Sequence, residues 1–189
     1  MNADYKTNLA LITNEAATGE AKTIFEATKT QLGFVPNMYQ IMANSQGYLS
    51  TYIHGYKAFR QASGFTPQEQ ELVFLVISDK NGCEYCTAAH SMIADKVAKF
   101  DADTLANVRA GNPVSDPKLQ ALAVMTSRLF DTRGLITKMD AQNFLSAGYA
   151  EEQILEIILA ISVKTLSNYA NHIFHTDVDA AFKDYAVKT

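Results

Sequence analysis

The chain has 189 residues, 48% hydrophobic and 19% charged, the balance of a folded domain rather than a disordered chain. Sixteen Lys+Arg against twenty Asp+Glu leave a net charge of −4 with no basic block, which argues against nucleic acid and anionic membrane as partners. The two cysteines sit three residues apart, too few for a disulfide scaffold at this length, so the pair needs an account from reactivity, metal binding or chance.

No basic stretch followed by an apolar one opens the chain, so no signal peptide is expected. The apolar runs 72–77 and 157–161 are far short of a membrane span. The expected location is the cytoplasm, where a C-x-x-C pair reads as redox or metal chemistry.

Helical spacing relates Ala21, Ile24, Phe25, Thr28 and Leu32, with Gly33 as the stop. A second stripe runs Leu49, Tyr52, Ile53, Tyr56 and Phe59 and ends at Gly64. Thr66-Pro67-Gln68-Glu69 reads as a capping box with proline at the first helical position. That start makes Leu72–Ile77 part of a buried helix rather than a strand. Beyond the turn residues Asp79–Gly82, a helix is expected to carry Cys83, Cys86, His90, Ile93 and Val97. Asp101 caps a short helix to Val108, and Asp116-Pro117 opens one through Phe130. Thr137 and Asp140 cap another that ends at Gly148, and the chain then reads as helix from about Glu151 to Phe182. The expectation is an all-α fold in a single domain, 1–189. A faint repeat at an offset of 84 aligns Leu75 with Leu159, Lys80 with Lys164 and Tyr85 with Tyr169. Duplication with a degenerate second half and shared helix patterning explain it equally well.

On a helix, Cys83, Cys86 and His90 fall on one stripe within contact range. The helix N-terminus favours thiolate, His90 can take a proton from Cys86, and a second thiol can resolve an oxidised first one. Glu71, beside the apolar run, either orients His90 or remains a solvated first-turn carboxylate. Inert buried thiols remain open, as does a zinc site in which Cys83, Cys86 and His90 borrow His54, His172 or His175.

The pattern E-x(11)-C-x-x-C-x-x-x-H, filled by Glu71, Cys83, Cys86 and His90, resembles the AhpD-like family of the carboxymuconolactone decarboxylase superfamily. Ser78, Asn81-Gly82-Cys83-Glu84-Tyr85-Cys86 and Leu32–Asn37 are similar to its peroxidase-related branch. The resemblance implies a multi-helix AhpD-like fold, a trimeric or hexameric homo-oligomer, and thiol peroxidase activity without metal or other cofactor. It also implies that Cys86 attacks the hydroperoxide, Cys83 resolves it, and His90 with Glu71 relays the proton. A lipoylated or thioredoxin-like dithiol protein would restore the thiols. The best-known members carry a histidine where this chain has Tyr85, a poor base at neutral pH.

The aromatic residues fit core packing first, with Tyr39, Tyr48, Tyr52 and Tyr56 as candidates for a channel to the thiols. His54 reads as a packed or surface histidine. Asn168–His172, a polar insertion in an apolar helix, faces the site, an oligomer seam or solvent. Two other functions stay open: a lactone-acid decarboxylase that does not need the cysteines, and a helical binding or stress-response module.

Overall fold

Burial of α4 (Pro67–Lys80) organises the molecule: from Glu69 to Ser78 only Val76 escapes full burial. Its start is held by the expected box. Thr66 Oγ1 accepts from the Glu69 amide at 3.3 Å, and Glu69 Oε2 accepts from the Thr66 amide at 2.8 Å. Such reciprocal caps satisfy amides that the first turn would leave bare. Leu72, Phe74, Leu75 and Ile77 are 0–1% exposed, and each such side chain contributes about 1.5–3 kcal/mol of burial.

The computed structural model describes residues 3–187, so Met1, Asn2, Lys188 and Thr189 of the expected domain lie outside the described residues. Around α4 stand α1 (Gly19–Leu32), α2 (Asn37–Met42), α3 (Gln46–Ala62) and α5 (Glu84–Lys96). After them come α6 (Ala102–Arg109), α7 (Pro117–Thr132), α8 (Lys138–Ser146), α9 (Glu152–Phe174) and a 3-10 turn, Ala180–Tyr185. The described residues contain no strand, and the fold is all-α as expected. The caps at Asp101, Asp116 and Thr137 each accept the predicted backbone bond. No helix among the described residues is long and apolar enough to cross a membrane.

Two apolar clusters share the interior. One joins α4 to α7 and α8 through Leu122, Met125, Leu129 and Phe144. The other joins α1, α2, α3, α5 and α9, and both cysteines lie in it with Phe25, Ile41, Tyr52 and Val163. Close approach of α3 and α9 depends on Gly55, where a Cβ would meet Val163 Cγ2 at 2.8 Å. The stiff, branched valine gives little room there.

Two expectations need correction. The last helix ends at Phe174 rather than Phe182, because His175 turns left-handed (φ 49°) and the chain then crosses to the 3-10 turn. Asp179 pins that segment, accepting from the Asn37 amide at 3.2 Å and from the Tyr85 hydroxyl at 2.5 Å. Second, Cys83 is the N-cap of α5, not part of it: Gly82 turns with φ 64° and the Cys83 amide bonds Ser78 O at 3.0 Å. α2 itself went unpredicted, because it carries too few turns for its periodicity to show in the sequence. The break at 81–83 has no counterpart 84 residues on, where 165–167 continue α9 without interruption.

Candidate active site

The turn at Gly82 folds α5 back along α4 and brings Glu71 to His90. Glu71 Oε2 lies 2.8 Å from His90 Nδ1, and both side chains are buried. The two open placements of Glu71 are thereby decided for the buried one. Its other oxygen is ion-paired with Arg60 of α3, which also donates to Tyr56 Oη at 2.8 Å and Gln70 Oε1 at 3.1 Å. Burial pushes the Glu71 carboxyl up, but the His90 and Arg60 contacts outweigh it and hold it below the usual carboxylate range. Burial and the Lys164 charge push His90 below its ordinary value, against Glu71. A neutral ring with its proton on Nδ1 fits that pair and leaves Nε2 with a free lone pair. His90 also packs on Phe74, ring centroids 4.8 Å apart.

Cys83 and Cys86 are free thiols, each 1% exposed. Asn171 of α9 points its amide at both, Nδ2 lying 3.3 Å from Cys86 Sγ and 3.8 Å from Cys83 Sγ. Burial pushes Cys86 up; the Cys83 hydrogen bond, the Lys164 charge and the neighbouring His90 and Ser167 outweigh it and hold Cys86 well below an ordinary thiol. Its place in the first turn of α5 acts in the same direction. The hydrogen bond with Cys86, together with burial, pushes Cys83 up. The two thiols are thus shifted in opposite directions, Cys86 down and Cys83 up.

Lys164, Ser167, Asn168 and Asn171 are all buried and repeat at three- and four-residue intervals, one polar stripe of α9. Asn168 accepts from Asn81 Nδ2 at 2.8 Å, which ties this stripe to the turn before Cys83. Of the polar insertion 168–172, Asn168 and Asn171 therefore face the site. Lys164, Ser167 and Arg60 carried no local signal beyond a polar residue within an apolar stretch.

Two cavities border the first half of α5, and Cys83 lines the smaller one. One of about 360 Å³ is lined by Tyr39, Tyr52, Tyr56, Ala89, His90 and Phe182, with Lys57 and Arg60 also in its wall. Three of the four candidate channel tyrosines are there; Tyr48 instead donates to Leu166 O at 2.7 Å. The other, about 200 Å³, is lined by Cys83, Tyr85, Asn171, His172, His175 and Thr176. It is polar, and Asn171 Oδ1, His172 Nε2 and Thr176 Oγ1 are buried without a protein partner. Tyr85 lines both cavities. Burial and Asp179 push its hydroxyl well above the ordinary value, so it remains a neutral donor. His54 is exposed. Among the described residues no three His, Cys, Asp or Glu side chains converge as metal ligands would, and Cys86 faces Lys164 and Asn171 instead.

No protein-family model matches the chain, and no curated protein matches it in sequence. Solved structures do match its fold. The alkylhydroperoxidase AhpD core of a peroxidase-related protein from Ralstonia eutropha superposes with a TM-score of 0.84 at 18% identity, covering 95% of this chain and 96% of that one. A peroxidase-related protein from Silicibacter sp. gives 0.78 at 19% identity, over 95% and 96%. The debrominase Bmp8, as a cysteine-to-alanine variant in complex with 2,3,4-tribromopyrrole, gives 0.75 at 16% identity, over 96% and 97%. The chain therefore has the AhpD-like fold.

Proposed function

We propose that the protein is a thiol-dependent hydroperoxide reductase, with Cys86 as the attacking thiol and Cys83 as the resolving one. The carrying observation is the convergence of Glu71, His90 and the unequal cysteine pair in one interior. His90, held by Glu71 through Nδ1, presents Nε2 as the proton acceptor beside the larger cavity. Cys86 thiolate attacks the terminal oxygen of a hydroperoxide; the O–O bond breaks, leaving a sulfenic acid and an alkoxide. A proton from solvent, relayed through His90, converts that alkoxide to an alcohol. The Cys83 thiol then displaces the sulfenic hydroxyl, giving the disulfide and water. An external dithiol, lipoylated or thioredoxin-like, restores both thiols by exchange. The polar cavity at Cys83 supports entry of that reductant on a side separate from the aromatic cavity at His90. Tyr85, bonded to Asp179, does not act as a base in this scheme. The apolar face of α9 formed by the exposed Leu155, Ile158, Tyr169 and Ile173 supports a homo-oligomer, trimer or hexamer.

The test is mass spectrometry after limiting organic hydroperoxide. Wild type is expected to form the Cys83–Cys86 disulfide, and Cys83→Ser to accumulate a trappable sulfenic acid on Cys86. Oxidation confined to Cys83, or no oxidation at all, defeats the assignment.

The aromatic walls of the larger cavity favour a second reading, reductive debromination of a flat aromatic ring. The electrons balance: an aryl bromide and two thiols give the arene, the disulfide, bromide and a proton. Supplied with 2,3,4-tribromopyrrole and a dithiol, a debrominase releases bromide, and a protein confined to peroxides releases none.

A further inference from the structure

Lys164 is 1% exposed, yet it takes part in none of the ion pairs seen among the described residues. A buried ammonium without a counter-ion is costly. Its place over the Phe74 ring, 5.6 Å from the centroid, offsets only a part of that cost, because Arg60 uses the same ring at 4.8 Å. The charges of this interior can be summed. Arg60 from α3 and Lys164 from α9 bring two positive charges, Glu71 from α4 brings one negative charge, and neutral His90 from α5 brings none. One anion is missing. The other acids facing the thiols are Tyr52 of α3 and Tyr85 of α5, both made harder to ionise by burial, and Cys83, made harder to ionise by Cys86. Cys86 is left. It lies against the same stripe of α9 that carries Lys164, with Ser167 and Asn171 one and two turns further on.

We propose that Lys164 is the counter-ion of Cys86, so that the reduced protein rests as a buried ammonium–thiolate pair at the first turn of α5. This goes beyond the peroxidase reading, because it describes the reduced protein before any oxidant arrives. Lys164 is a positioning residue here: it acts through Cys86. The pairing has a second consequence. Disulfide formation removes the anion and leaves Lys164 uncompensated, so Lys164 favours the dithiol over the disulfide, as stabilisation of any reduced form does.

The experiment compares the full-length wild type with Lys164→Met by ultraviolet thiolate absorbance across pH, and by redox equilibration with glutathione. One thiolate is expected in wild type already below neutral pH. In Lys164→Met the midpoint is expected to rise by a unit or more, so that thiolate at a pH below both midpoints falls about ten-fold or further. The glutathione equilibrium of Lys164→Met is expected to move toward disulfide by a similar factor. An unchanged titration in the folded variant overturns the pairing. Should the variant fail to fold, wild type decides alone: an ionised thiol below neutral pH supports the pairing, and thiols that ionise only in the ordinary cysteine range overturn it. Peroxide turnover is read in neither arm, so a failed peroxidase assay leaves this test standing.

Discussion

Cys86→Ser is expected to lower dithiol-dependent hydroperoxide turnover by about a thousand-fold or more, as loss of an attacking nucleophile does elsewhere. The hydroxyl is nearly isosteric with the thiol, so Asn171 keeps an acceptor and the apolar surroundings of the pair change little. What disappears is the ionisable sulfur. A serine hydroxyl at this place neither ionises near neutral pH nor forms a stable oxygen adduct that Cys83 could resolve. Rates of hydroperoxide loss, with circular dichroism to verify the fold, provide the measurement. Turnover that survives in Cys86→Ser ends the thiol mechanism. Decarboxylation of a lactone acid tests the alternative that needs neither cysteine: such activity in the double serine variant makes it the better account.

Glu71→Gln is expected to lower turnover by about a hundred-fold, the low end of what a positioned acid–base group contributes. Glutamine can still accept from His90 Nδ1, but it carries no charge to make the ring more basic. The same change strips Arg60 of its counter-ion. Breaking a buried pair costs about 3–5 kcal/mol; the lower end applies here because the Arg60 side chain keeps 20% exposure and can turn toward water. The pH dependence has a definite sign. The folded carboxyl sits below its unfolded value, so Glu71 contributes its full stability above the unfolded carboxyl range. That contribution is lost as pH falls through the lower, folded value. Denaturant unfolding should therefore show wild type ahead of Glu71→Gln at neutral pH, with the gap closing on acidification. A gap that stays constant down to strongly acid pH would mean that Glu71 is not held as an anion in the folded protein.

Both results depend on contacts that were legible to different degrees. The Thr66–Glu69 box, Pro67 and the apolar run that follows were enough to place α4, because caps and burial act within one helix. The spacing from Cys86 to His90 placed both on one face of α5 for the same reason. The Cys83 position was misread as helical because Gly82 is a local conformational switch whose direction depends on the bond from Cys83 to Ser78. The end of α9 was overrun for a related reason: its stop is a left-handed His175, with Asp179 then held by Tyr85 and Asn37 from elsewhere in the chain.

By itself, the sequence determined the helices other than α2, most of their caps and four residues, Glu71, Cys83, Cys86 and His90, as candidates for a site. Their geometry was another matter. Whether Glu71 faced solvent or His90, and which side chains surround the two thiols, were decided only when α3 and α9 packed against the α4–α5 hairpin. Arg60 stands 11 residues before Glu71, and Asn171 stands 85 after Cys86. Hydrophobic periodicity reports which face of a helix is buried but not which neighbour it meets. Charge and hydrogen bonding at a thiol depend on that neighbour, and in the low-dielectric interior the bond between the two cysteines, with Lys164 and Ser167 of α9 close by, shifts apart two thiols that look equivalent in the chain.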